Sequence, residues 1–122
     1  MAVFLLRHRL TILVCAAASL ALCAAHAQTF PNRPIRLISP YPPGGGNDVL
    51  ARLIAEPMGN ALGQRVIVDN RAGANTIVGA QEAARAAPDG HTFMLTTMST
   101  MVNNRALYPK LPYDAERDFA PV

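Results

Sequence analysis

Residues 35–48 constrain the fold more than any other stretch of this sequence. Ile35-Arg36-Leu37-Ile38-Ser39 is a short β-type run. Pro40, Pro42 and Pro43 follow, and then Gly44-Gly45-Gly46, a segment that continues neither a strand nor a helix. Asn47 or Asp48 comes next as a natural helix N-cap. Leu50, Leu53, Ile54, Met58 and Ala61 recur mostly at spacings of three and four, which predicts a helix with those side chains on its buried stripe. Pro57 removes a backbone donor and crowds the carbonyl of Leu53, so a kink is expected there. Gly63 stands where such a helix ends.

A strand, a glycine turn and a helix make the first half of a βαβ unit, and the following residues supply the rest. Val66-Ile67-Val68 is continuous and β-branched, as expected of a buried parallel strand. Asn70 to Asn75 reads as a turn around Gly73. Thr76 to Ala87 predicts a helix of small residues, with Ala80, Ala83, Ala84 and Ala87 on a face that allows close approach to a sheet. Pro88-Asp89-Gly90 turns the chain, and Thr92 to Thr97 predicts a third strand. After Met98 the pattern weakens, and the residues from Tyr108 to Asp118 read as an irregular connection. The order β-α-β-α-β predicts an α/β fold with a parallel sheet and right-handed crossovers.

The amino terminus has a different character. Arg7, His8 and Arg9 are followed by an apolar stretch, Leu10 to Ala25, and then by Ala25-His26-Ala27, a small-x-small pattern. That combination predicts a secretory signal peptide over residues 1–27, cleaved after Ala27, with residues 28–122 as the mature part. The apolar stretch is short for a membrane span, which needs about 20 residues. Removing 27 of the 122 residues leaves 95, enough for one small domain. Both cysteines, Cys15 and Cys23, lie in the leader. The mature part therefore has no disulfide and no thiolate chemistry, which fits an exported protein of the bacterial periplasm.

Composition excludes several functions. The chain has 11 basic and 8 acidic residues, and Arg7 and Arg9 belong to the leader. The remainder is close to neutral and has no Lys/Arg run, so no nucleic-acid partner is expected. No His/Asp/Glu cluster has metal-ligand spacing, and no cofactor is implied. His91, beside Gly90, is expected as a surface turn residue. With a single histidine in the mature part, no nucleophile and base can be paired, so an enzyme such as a small hydrolase is not expected.

In an open α/β sheet, ligands bind at the carboxyl ends of the strands. Three segments fall there. Gly44-Gly45-Gly46 leading into Asn47-Asp48 places bare amides at a helix N-terminus, where an anion is favoured. Arg71 beside Gly73 and Ala74 offers a cation, although pairing with a neighbouring acidic residue is the commoner use of such an arginine. Thr96, Thr97, Ser99 and Thr100 offer hydroxyls. A dinucleotide fingerprint fails at Val49, and no Gly-Lys pair exists for a phosphate-binding loop.

The ordered combination of these pieces resembles a known family. It includes Phe30-Pro31-x-Arg33-Pro34-Ile35, then Pro42-x-Gly44-Gly45-x-x-Asp48-x-x-Ala51-Arg52, then Gly63-Gln64-x-Val66-Ile67-Val68-Asp69-Asn70-Arg71-x-Gly73-Ala74. Ala87-Pro88-Asp89-Gly90-His91-Thr92 and the tail Leu107-Tyr108, Leu111-Pro112-Tyr113-Asp114 and Asp118-Phe119-Ala120-Pro121-Val122 continue it. Together they are similar to the mature start of a tripartite tricarboxylate transporter receptor, also called the Bug family. The resemblance implies a monomeric, exported solute-binding protein with a type II periplasmic-binding-protein fold of two α/β lobes. It also implies a small carboxylate ligand and membrane transporter subunits as partners. The ligand carboxylate would be held by backbone groups and water in the loop carrying Tyr41, Pro43, Gly44, Gly45, Gly46, Asn47 and Asp48. Arg71, Gly73, Ala74, Thr97 and Ser99 would line the same cleft. Asn75 departs from the pattern, standing where a second glycine is common. Family members are much longer, so this chain is expected to be a truncated first part of lobe 1 without the second lobe; a non-functional remnant and a ligand sensor feeding a two-component system are the alternative readings.

Overall fold

β1 (Ile35–Ser39) is the middle strand of a three-stranded parallel sheet, with β2 (Val66–Asn70) on one side and β3 (Thr92–Met94) on the other. The structure, a computed structural model, describes residues 29–122. The expected signal peptide and its cleavage point lie outside the described residues. The central place of β1 follows from its side chains, since Ile35, Leu37, Ile38 and Ser39 are all buried. Successive strand residues point to opposite faces. Ser39 donates from Oγ to Asn47 Oδ1 (2.8 Å) in the helix α1 (Gly46–Leu62), whereas Arg36 bonds to Glu82 in the helix α2 (Ile77–Ala84). The two helices therefore cover opposite faces of the sheet. The chain leaves β1 toward β2 and returns past it to β3, so the direction of winding reverses at β1.

α1 differs from expectation at its start and on its buried face. Its N-cap is Gly45, one turn earlier than an Asp48 cap would place it, and no side chain caps it. The helix runs on through Pro57 and ends at Gly63, which takes the left-handed conformation (φ 67°). Its buried residues are Asp48, Ala51 and Ala55, while Leu50, Leu53 and Ile54 stay exposed. Asp48 sets this rotation by bonding across to Asn70 at the end of β2 (2.9 Å). With Asp48 turned inward, the residues three and seven positions on face the sheet, and both are alanine.

β2 is longer than the predicted Val66–Val68 and is not a buried strand. Among the described residues it has a strand on one side only, and Ile67 is 49% exposed. α2 is shorter than predicted. It begins after Thr76 and stops before Arg85, which leaves Ala87 outside the helix and exposed. Its close approach to the strand ends is made by Gly79 and Ala80, both buried. β3 is also shorter than predicted; after Met94 one more ladder bond, Leu95 N–H to Ile38 C=O (2.9 Å), is made before the chain turns away.

Beyond Met98 the chain is not irregular at once. A π-helical turn, Ser99–Asn103, runs directly into the short helix α3 (Asn104–Leu107). Its buried positions are polar, Thr100 and Asn104, so hydrophobic periodicity gives no sign of it. Residues 108–118 are irregular, as expected, and close on a turn in which Asp114 accepts from the amides of Glu116 and Arg117. His91, expected on the surface, is 6% exposed. Its amide donates to Asp89 Oδ1 (3.0 Å) and its carbonyl accepts from Arg36 N–H (2.8 Å), which ties the residue to β1. Among the described residues no helix is long and apolar enough to cross a membrane.

Candidate ligand-binding site

Reversal of winding at β1 opens a crevice at the carboxyl ends of β1 and β3, the place where ligands bind in open α/β sheets. Three loops meet at this edge, and each is tied to the others. The loop after β1 is held from inside by Asp48. Its Oδ2 accepts from the Gly44 amide (2.8 Å) and from Arg52 Nε (3.0 Å), and its Oδ1 accepts from Asn70 Nδ2. Asp48 occupies the third position of α1 and reaches back past the cap, as the acidic member of a capping box does. Asn70 also donates to the carbonyl of Tyr41 (3.1 Å). The Arg52 bond, then the Gly44 and Asn70 bonds, outweigh burial and hold the Asp48 carboxyl at about 2.

Stapled in this way, the loop commits the Gly44 amide to Asp48 and the Gly45 amide to Pro42 C=O (3.4 Å), and leaves those at the start of the helix bare. Gly44 has φ 80°, a conformation that glycine takes without strain. Val49 N–H is the first amide of α1 to reach a main-chain carbonyl, that of Gly45 (3.0 Å). Gly46, Asn47 and Asp48 N–H precede it, in the part of a helix that has no partner within the helix. A methyl group added at Gly44 or Gly46 would meet nothing within 4 Å, so open space faces both residues. The Asn47 side chain is turned to Ser39 rather than outward. Pro43 is exposed, and Tyr41 is half-buried with its hydroxyl 2.6 Å from Thr97 Oγ1. Thr97 Oγ1 in turn accepts from the Ser99 amide (3.3 Å). One hydroxyl pair thus joins the loops after β1 and β3 across the crevice.

The loop after β2 lies alongside. Arg71 N–H donates to Ser39 C=O (2.8 Å), extending the ladder past the end of β2. The Arg71 side chain pairs with Asp69 (2.9 Å) and Glu82 (3.4 Å), and Arg36 pairs with the same two carboxylates. Its charge is therefore matched within the α2 face of the sheet. Gly73, Ala74, Asn75 and Thr76 all have positive φ, at 143°, 45°, 52° and 73°.

Except for Thr100, expected only as a hydroxyl at the strand end, the residues that hold this second loop are missing from the expected site. Thr76, Thr100, Asn104 and Tyr113 are buried together. Thr100 Oγ1 donates to Thr76 Oγ1 (2.8 Å), and Tyr113 Oη donates to Thr100 C=O (2.6 Å). Thr96 donates to Thr100, and the ring of Tyr113 meets Phe119 edge-on at 5.9 Å. The signal that points to them is polar periodicity, since Thr96, Thr100 and Asn104 stand four apart, the spacing of one helix face. Among the described residues no three His, Cys, Asp or Glu side chains form a metal-binding group. An open groove of about 870 Å³ lined by Arg52, Glu56, Asn60 and Arg65 to Val68 follows the free edge of β2 and is separate from the glycine loop.

Comparison with known proteins gives one consistent answer. A sequence profile described as tripartite tricarboxylate transporter family receptor matches residues 50–122. The chain is 43% identical over 97 residues to BugT of Bordetella pertussis, covering 79% of this chain and 30% of BugT. MatC from Rhodopseudomonas palustris with bound malate is 41% identical with a TM-score of 0.73, over 76% of this chain and 32% of MatC. An R. palustris protein with adipate is 36% identical with a TM-score of 0.68, over 71% of this chain and 29% of that one. The chain spans 29% to 31% of the length of the first curated relatives it matches.

Proposed function

Because the chain belongs to the tripartite tricarboxylate transporter receptor family, we propose that its carboxyl-edge crevice binds one carboxylate of a small dicarboxylic acid. In this reading the receptor acts in the periplasm and delivers the acid to membrane transporter subunits. The observation that carries it is the glycine loop, where the amides of Gly46 and Asn47 have no main-chain acceptor at the positive end of α1 and open space lies beside Gly46. Malate and adipate, the acids in two structural neighbours, are both dicarboxylic, which supports that substrate class for this chain. Of the bonded Tyr41–Thr97 hydroxyl pair, the one whose proton is not given to the other would donate to a second oxygen, while the paired Arg71 contributes little charge. Export through residues 1–27 would start the mature protein at Gln28, and the mass of the periplasmic form reads this directly.

A thermal-shift panel of mono-, di- and tricarboxylates on the folded chain tests the proposal. A dicarboxylate at a hundredfold excess over its Kd is expected to stabilise the fold by about 2.7 kcal/mol. A cooperatively melting protein that no carboxylate shifts contradicts the reading.

Gly46→Ala separates fold from binding. The added methyl meets nothing within 4 Å, and alanine narrows the unfolded ensemble, so stability should rise by about 0.4–1 kcal/mol. The same methyl occupies the space a carboxylate needs. Affinity for the dicarboxylate is expected to fall about tenfold, or about 1.4 kcal/mol. Urea melts and calorimetric titration of the same sample read the two effects, and unchanged affinity argues against ligand approach at Gly46.

A further inference from the structure

Ala74, Asn75 and Thr76 are three consecutive non-glycine residues in the left-handed region, with φ of 45°, 52° and 73°. Asparagine tolerates that region better than most residues, whereas a β-branched threonine there is an outlier. Such a run persists only where the surroundings over-determine it. Thr100 bonds the Thr76 hydroxyl from one side (2.8 Å), and the side-chain hold on Asn75 comes from one buried residue. Asn104, fully buried, accepts from Asn75 Nδ2 through Oδ1 (2.7 Å) and donates through Nδ2 to Asn75 C=O (2.8 Å) and to Thr76 Oγ1 (3.2 Å). Its amide thus grips both faces of Asn75, the side chain and the main chain, and the hydroxyl of the next residue. Asn104 lies on α3, beyond β3, so the grip also fixes the distance between the loops after β2 and β3. Tyr113 Oη, which accepts from Asn104 Nδ2 (3.4 Å), backs the grip from the far side.

We propose that Asn104 is a positioning residue for the ligand crevice, holding the Gly73–Thr76 wall in its left-handed shape without touching the ligand. The inference rests on the carboxylate-receptor reading for its consequence, but not for its mechanism. A side chain that only fills the core would leave the loop conformation indifferent to the residues at 75 and 76. A positioning amide makes a different demand: once glycine replaces the β-branched Thr76, the residue least suited to the left-handed region, the shape no longer needs the grip and Asn104 becomes dispensable.

The test uses the full chain in four forms: wild type, Asn104→Ala, Thr76→Gly, and the two combined. φ-sensitive NMR couplings and amide exchange at residues 74–76 read the wall, and malate and adipate titrations read the crevice. Asn104→Ala is expected to collapse the positive-φ couplings, and to weaken the dicarboxylate about tenfold, the scale of losing a group that orients a binding residue. Adding Thr76→Gly is expected to restore affinity to within about threefold of the Thr76→Gly protein, a fraction of a tenfold step. Unchanged couplings in Asn104→Ala, or no rescue by glycine in a folded double variant, overturn the proposal. Should Asn104→Ala fail to fold, Asn104→Asp, which keeps the acceptor and loses both donors, makes the same test. If wild type binds neither acid, the receptor reading fails while the couplings still decide the role of Asn104.

Discussion

Gly79→Val should cost the chain about 3 kcal/mol or more and abolish or sharply shift its cooperative unfolding. A β-carbon at Gly79 would stand 2.7 Å from Pro40 Cβ, 2.8 Å from Arg71 O and 2.9 Å from Pro40 Cα. Two of these are backbone atoms, and Pro40 is fully buried with its ring fixed, so nothing nearby can swing aside. Overpacking typically costs about 1–3 kcal/mol and more where the backbone must move. A domain this small buries a limited area and has only a few kcal/mol in hand. The consequence is functional as well, because Pro40 opens the glycine loop and Arg71 opens the left-handed one. Gly79 is the point where α2 lets both loops close on the sheet edge. Urea titration followed by circular dichroism measures the effect, and a midpoint equal to wild type would contradict this packing.

Asp48→Asn carries the second large effect. The isosteric amide must present an N–H where Asp48 Oδ2 now accepts from Gly44 N–H and Arg52, or else give up the Oδ1 acceptor for Asn70. Either way the glycine loop loses a staple, and dicarboxylate affinity is expected to fall on the order of 10–100-fold, as when a group that orients a binding element is removed. Acid should do the same reversibly. The folded carboxyl is held at about 2 against an ordinary 3.8, so the unfolded chain takes up the proton first as pH falls. Its stabilisation is complete above about pH 4 and is lost progressively toward pH 2. Urea midpoints of wild type between pH 6 and 2 should therefore fall more steeply than those of Asp48→Asn. Parallel acid limbs, with unchanged affinity in the variant, would show that Asp48 does not hold the loop.

The parts of this structure that the sequence reveals are those written in backbone chemistry. β1, the glycine turn, the carboxyl end of α1 and the parallel order all follow from proline and glycine placement and from β-branched runs. Side-chain rotation is where the sequence misleads. The Leu50, Leu53 and Ile54 stripe satisfies a helix-face template, yet a bond from Asp48 to Asn70 turns Ala51 and Ala55 inward. The Val66-Ile67-Val68 run reads as buried, but burial depends on neighbours on both sides, and one side of β2 is open among the described residues. Of the candidate site, the glycine loop was legible because three successive glycines have few structural uses. The network of Thr76, Thr100, Asn104 and Tyr113 was not, because its core positions are polar and its order depends on contacts 9 to 29 residues apart.

Residue-resolved binding is the decisive measurement. In a ¹H–¹⁵N titration of the folded chain with malate and adipate, the amides of Gly44 to Asp48 should shift first and saturably, followed by those of residues 73–76 and 97–99. Amides along the β2 groove, from Arg65 to Val68, should stay in place. Saturable shifts confined to that groove, or none anywhere in a well-dispersed spectrum, would contradict a carboxylate site at the glycine loop.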